Sequence, residues 1–440
     1  MKRKLLCLAV LIMALLIAGC SQRTIGEMYS LPKRSEAYND LQADIDMAMA
    51  GGLTYSAPLS GENRQSVQMA DLDGDGKDEY LVFAKGASEK PLRVLIFNRD
   101  SEDKFQLADV IQSSGTAFEQ IEYVTMDEEV GCEIIISRQV SDQVIRNVSV
   151  YSFREGDAEQ VMSVGCSRFL TCDLNGNGRS ELLVVQPGEE EKGAMAVLYS
   201  VRDGMLERSM EVELSEQTAN IKRITLSALE GGLPAAYITS AVGDEAFITD
   251  ILAIPDGKFT NVSQSAETGD SRQTLRNFHI YGQDVDGDGV MELPSILGMQ
   301  PLSSDWIDEE LYLIRWYSMD EQGREVDKIH SFHNYASGWY ILLDSLWASR
   351  VTVEQVGNTY IFYAWDEANR SVVRLFTVYA LSGSDRETQA QEDSRFALCR
   401  TESIVYAAKV EAAAQPYGII EDTLINSFRL IQGNPGAGDT

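Results

Sequence analysis

Histidine is almost absent from this 440-residue chain, which has only His279, His330 and His333. Residues three apart face opposite sides of a strand, so His330 and His333 make a poor metal pair, and all three read as surface or rim residues. Cysteine is sparse, with six in total and no zinc-type spacing. Cys132, Cys166, Cys172 and Cys399 read as free thiols, with pairing of Cys166 and Cys172 across neighbouring strands as the alternative. Positive charge is deficient as well: 37 Lys+Arg stand against 68 Asp+Glu, a formal net charge of −31. Such a field repels phosphate backbones and argues against a nucleic-acid partner. With 44% hydrophobic and 24% charged residues the chain is neither disordered nor a multi-span membrane protein.

Signals of enzymes are missing too. There is no G-x-S-x-G elbow, no Walker loop and no strand-following G-x-G-x-x-G. Residues 101–104 match S-x-x-K only inside an expected hairpin turn. The pair Asp305 and Asp308 has glycosidase chemistry, but coincidence accounts for it among 68 acidic residues. On these grounds the chain reads as a non-enzyme.

What is present begins at the amino terminus. Lys2, Arg3 and Lys4 precede an apolar run over 5–17, too short to span a bilayer, and the small pair Ala18-Gly19 then precedes Cys20. The stretch Leu16-Ile17-Ala18-Gly19-Cys20 resembles a bacterial lipoprotein box. The resemblance implies a signal peptide over 1–19, lipidation of Cys20 and a membrane partnership through that anchor. The implied place is the extracytoplasmic face of the cell membrane, or the outer membrane of a Gram-negative cell, because two acyl chains anchor stably.

A polar spacer leads to a predicted helix over 32–50, with Leu41, Ile45 and Met49 on one stripe and Gly51-Gly52 as its stop. Residues 20–52 thus form the lipidated, spacer and helix segment. From 53 to 335 short runs rich in Val, Ile, Leu, Tyr and Phe alternate with turn residues, the pattern of many short antiparallel strands. The first block predicts strands over 65–70, 79–84, 92–98 and 105–111.

The blocks repeat. Asp71, Asp73, Asp75 and Glu79 occupy positions 1, 3, 5 and 9 of D-L-D-G-D-G-K-D-E, followed by an apolar run. Asp173, Asn175, Asn177 and Glu181 recur in the same places, as do Asp284, Asp286, Asp288 and Glu292. Eroded copies start at 125, keeping Asp127, Glu129 and Glu133, and at 227, keeping only Glu230 off-position. The starts 71, 125, 173, 227 and 284 are 54, 48, 54 and 57 residues apart. One four-stranded sheet per period predicts a mainly β fold, a β-propeller of about five blades with a sixth or seventh left open.

Short acidic side chains two apart on a tight turn converge on one point, and a hard cation such as Ca²⁺ takes six to eight oxygens. Position 12, where an EF-hand needs Glu, is Val82, Val184 and Ser295, so that motif is excluded. The loops resemble the FG-GAP or VCBS repeat of integrin α propellers and bacterial surface proteins, over residues 60–333. That resemblance implies structural Ca²⁺ held by Asp71, Asp73, Asp75 and Glu79, by Asp173, Asn175, Asn177 and Glu181, and by Asp284, Asp286, Asp288 and Glu292. Lys77, Arg179 and Val290 would add backbone oxygens. The Asn-containing loop is expected to bind most weakly, and the copy at 227 to hold no metal.

Residues 336–433 are expected to form a small α+β domain, with a final helix over 421–431 and a tail over 434–440. The whole reads as a lipid-anchored binding lipoprotein with a calcium-stabilised propeller and an unidentified protein or glycan ligand; Trp306, Trp316 and Tyr317 read first as core packing and, where exposed, as ligand contacts. The alternatives are an envelope enzyme, such as a glycan hydrolase using carboxylates on the propeller face, and an assembly factor of an envelope complex.

Overall fold

The computed structural model describes residues 36–140, 146–188, 193–202, 205–244, 246–278, 280–299, 311–343, 350–366 and 371–431. The lipoprotein-type segment with Cys20, as well as Trp306, Asp305, Asp308, His279 and the 434–440 tail, lies outside them.

Among the described residues six antiparallel sheets succeed one another, over residues 54–113, 117–166, 168–213, 221–261, 293–343 and 351–410. In most of them the chain meanders from each strand to its neighbour. The fifth sheet gains Phe428–Leu430 beside Trp339–Leu343, and the sixth exchanges the order of its last two strands. The strands predicted in the first block appear as Val67–Ala70, Glu79–Lys85, Leu92–Arg99 and Phe105–Ser113.

The inner strand that follows the acidic turn in each of the first three sheets reads as an unbroken apolar run for a physical reason: both of its faces are covered. Glu79–Lys85, Glu133–Gln139 and Glu181–Gln186 are buried at nearly every residue. Last strands such as Phe105–Ser113 and Met205–Glu213 are mostly exposed or half-buried. Successive sheets share apolar clusters. Phe83 of the first sheet meets Phe118 of the second edge-on at 5.2 Å. Ile135 and Val150 join Leu182 and Val184, and Leu183 and Leu198 join Ala236 and Leu252. Tyr237 and Ile251 join Leu293 and Tyr317, and Phe332 joins Phe362.

The two end sheets are covered differently. Helix α1 (Glu36–Met49) lays Leu41 and Ile45 on Tyr80, Val82, Leu95 and Phe97 of the first sheet. Helix α2 (Arg386–Gln389) leads to Ala390, which packs on Val405 and Ala407 of the sixth. Among the described residues no apolar cluster joins the first sheet to the sixth.

Several expectations are corrected. Among the described residues the sheets number six, one more than the five visible repeats and within the range left open, because residues 351–410, expected as part of an α+β domain, form another antiparallel sheet packed on the fifth. The expected boundary after residue 335 falls in the hairpin pairing Glu325–Asn334 with Trp339–Leu343. The last helix, α3 (Glu421–Ser427), stops short of residue 431 because Phe428 is drawn onto Trp339, ring centroids 5.4 Å apart, and the chain continues as a strand. His333 is buried rather than superficial, stacked on Tyr340 at 4.6 Å. Trp316 and Tyr317 are 0% and 4% exposed, so core packing, the reading preferred for them over ligand contact, holds for both. By contrast, Cys132, Cys166, Cys172 and Cys399 are free thiols as expected, and burial pushes Cys166 up to about 11.

Candidate metal-binding loops

The acidic loops lead into corresponding strands: Glu79–Lys85 of the first sheet, Glu133–Gln139 of the second, Glu181–Gln186 of the third and Leu293–Leu297, the first full strand of the fifth. In the three full copies the glycines at positions 4 and 6 all have φ between 72° and 86°, a left-handed conformation that side chains rarely adopt. That curl folds the acidic side chains inward. Gly76 N–H donates to Asp71 Oδ2 at 3.0 Å, Gly178 N–H to Asp173 Oδ2 at 2.7 Å and Gly289 N–H to Asp284 Oδ2 at 2.9 Å. The position-7 amides of Lys77, Arg179 and Val290 each donate to the side chain at position 5, at 2.8 Å.

The glutamate at position 9 closes each loop from beneath. The backbone N–H groups of Leu72, Met126, Leu174 and Val285 donate to Glu79, Glu133, Glu181 and Glu292 at 2.8 to 2.9 Å. All four glutamates are buried. The loops also touch in pairs: Cys132 N–H donates to Leu72 O at 3.2 Å, Ser180 N–H to Thr125 O at 2.9 Å and Met291 N–H to Ala228 O at 3.2 Å.

Two loops gather enough carboxylates to hold a metal ion. Oxygens of Asp284, Asp286, Asp288 and Glu292 lie within 4.8 Å of one another, as do those of Asp71, Asp73 and Glu79. Glu292 is fully buried and its Oε1 has no partner, and Asp71 Oδ1 is similarly unpaired. Buried polar atoms ordinarily find partners, so these oxygens mark places where one is due. Burial, then the adjacent aspartates, push Glu79 and Glu292 up to about 7, against the pull of their backbone donors. An all-oxygen donor set of carboxyl groups suits a hard cation, whose charge favours their ionised form.

The other loops differ. Asp75, expected as a ligand, is not part of the first converging group. In the third-sheet loop Asn175 Nδ2 donates to Glu181 Oε1 in a very short contact, so an amide takes the oxygen a cation would need. The Lys77 and Arg179 side chains turn to Asp103 and Glu128, at 3.6 and 2.9 Å. In the second-sheet loop, sequence reasoning missed the decisive residue. Arg154, at the end of Arg146–Arg154, binds Asp127 Oδ2 at 2.8 Å and also grips Glu129, so a guanidinium sits among the acids. In the fourth sheet a backbone bond from Leu229 N–H to Leu233 O at 2.8 Å makes the turn.

A cleft of about 310 Å³ opens between the 273–278 segment and the fifth sheet, lined by Arg276, Phe278, Ile296, Arg315, Tyr317 and Glu325 among others. The segment is fixed by buried Asp250, which accepts from Ser215, Asn261 and Ser271 at 2.6 to 3.0 Å. Arg276 is 5% exposed and lies 5.6 Å from the Phe247 ring. Arg315 pairs with Glu325 at 2.9 Å and with Asp327 more closely.

No family model matches this chain, and no curated protein does. Among solved structures it resembles rhamnogalacturonan lyase YesW, at 13% identity and a TM-score of 0.33, over 73% of this chain and 64% of that one. The Bacillus licheniformis rhamnogalacturonan lyase PL11 gives the same four values. A putative 6-phosphogluconolactonase from Bacteroides uniformis follows at 8% identity and a TM-score of 0.27, over 69% and 82%. The chain therefore spans under two thirds of the first of these. These neighbours are named as enzymes, which stands against the expectation of a non-enzyme. At such TM-scores the likeness carries no activity across.

Proposed function

We propose that this chain is a lipid-anchored extracytoplasmic lipoprotein whose sheets form a propeller-type succession of FG-GAP-like repeats, stabilised by Ca²⁺ in the first- and fifth-sheet loops. The observation that supports it most is Glu292, fully buried with an unpaired oxygen beside three aspartates. In this reading Asp284, Asp286, Asp288 and Glu292 hold one ion and Asp71, Asp73 and Glu79 another. The ions neutralise converging charge and brace the strand-to-strand turns. The anchor is the diacylated Cys20, and the tethered sheets bind a protein or glycan ligand. Equilibrium dialysis against calcium, read by elemental analysis, tests the metal reading: two ions per chain are expected, and none would overturn it.

The cleft favours a second reading, an envelope enzyme acting on a glycan. Glu325 beside Arg315 and Tyr317 gives it a carboxylate, a cation and a phenol in a space of sugar-ring size. Glu325→Gln would abolish turnover of a glycan substrate, and full activity in that variant would exclude this site.

A further inference from the structure

We propose that Lys328 is a built-in competitor for the cation at the fifth-sheet loop, so that this site binds its ion by exchange and more weakly than its four carboxylates would allow. The proposal rests on the metal-binding reading above and concerns how that site is tuned.

Lys328 projects from Glu325–Asn334, and its ammonium is held between two sheets. Nζ lies 2.5 Å from Asp288 Oδ2 and 3.1 Å from Glu230 Oε2, the latter belonging to the fourth-sheet turn. The other oxygen of Asp288 is also engaged, accepting Val290 N–H at 2.8 Å. A cation entering the cluster must therefore share Asp288 with an ammonium only a bond length from the same carboxylate. Like charges so placed repel strongly, because the Lys328 side chain is only 14% exposed and water screens it little. Glu230, steadied by Ser318 Oγ at 2.7 Å, gives the ammonium somewhere to retreat when Asp288 turns to the ion. Ion entry then releases Lys328 from Asp288 and leaves it on the fourth-sheet turn.

The other loops make the comparison. Among the described residues no basic side chain bonds to Asp71, Asp73 or Glu79, since Lys77 reaches Asp103 instead. In the second-sheet loop the substitution is complete: Arg154 occupies Asp127 and Glu129 together. The fifth loop stands between these two, with a full set of ligands and a basic side chain on one of them.

The test is calorimetric titration with calcium chloride of the full chain carrying Asp71→Asn, Asp73→Asn and Asp173→Asn, which silences the first and third loops. Adding Lys328→Met should tighten the remaining site at least tenfold with one ion per chain. Adding Glu230→Gln instead should weaken it, because the ammonium loses its retreat. Equal affinities in all three proteins would overturn the competitor role while leaving the metal site standing. No calcium binding in any of them, together with none in the unsubstituted chain, would overturn the metal reading and this proposal with it.

Discussion

Withdrawing calcium should lower the melting temperature by an amount that can be worked out beforehand. An ion that binds only the folded chain adds RT ln(1 + [L]/Kd), about 1.4 kcal/mol per site at tenfold excess over Kd. Two sites, at Asp71, Asp73, Glu79 and at Asp284, Asp286, Asp288, Glu292, give about 3 kcal/mol in total. Unfolding entropy near 2.1 cal/mol/K per residue makes roughly 0.8 kcal/mol per degree for about 400 folded residues. The midpoint should then fall by about 3 °C when chelator replaces calcium, read by scanning calorimetry. Magnesium should restore less, because its small octahedral shell suits an irregular carboxylate cage poorly. Glu292→Gln removes a buried ligand from one site and should halve the shift. Identical midpoints with and without calcium would refute the reasoning, and so would a Glu292→Gln chain that keeps the whole shift.

Other consequences can be checked singly. Arg154→Ala leaves Asp127 and Glu129 facing each other; since Arg154 is 43% exposed, the loss in urea unfolding should be only about 0.5–1 kcal/mol. Burial among Trp316, Tyr335 and Tyr340 holds the His333 imidazole neutral, down from 6.5 to about 3. The unfolded chain protonates first as pH falls through 6.5, so folding should lose up to about 1.4 kcal/mol per pH unit down to about pH 3. His333→Phe should flatten that part of the pH–stability curve. Phe428→Ala should cost about 3–5 kcal/mol and free the C-terminal strand, seen as faster amide exchange at Trp339–Leu343. Cys20→Ser should move the protein from the detergent to the aqueous phase in Triton X-114 partitioning, and continued detergent partitioning would refute the lipid anchor.

Features encoded within a few residues were legible in the sequence. The strand over Glu79–Lys85 announces itself as an apolar run after a turn, and the loop ahead of it by alternating acids and glycines. The stripe of Leu41 and Ile45 was readable because its period matches a helix that covers one sheet. Features that depend on distant partners were not. Nothing near Asp127 in the chain reveals that Arg154, two strands onward, will neutralise it, or that Lys328 will reach both Asp288 and Glu230. The sixth sheet carries no acidic loop to mark it, and its membership in the row became visible only through Phe332 packing on Phe362 at 5.3 Å. Phe428 had helical neighbours in sequence and a strand's place in space, because the Trp339 ring outweighs a last turn of helix. Burial of His333 was equally hidden, since Trp316, one of its covering rings, comes from another strand.

Diffraction from crystals grown in calcium tests most directly whether the loops are cation cages. Anomalous density should appear among Asp284, Asp286, Asp288 and Glu292, with oxygens at about 2.3–2.6 Å, and again at Asp71, Asp73 and Glu79. The fifth-loop ion should sit with Lys328 withdrawn from Asp288 onto Glu230. Well-ordered loops in millimolar calcium with no density at either cluster, and Lys328 still on Asp288, would contradict it.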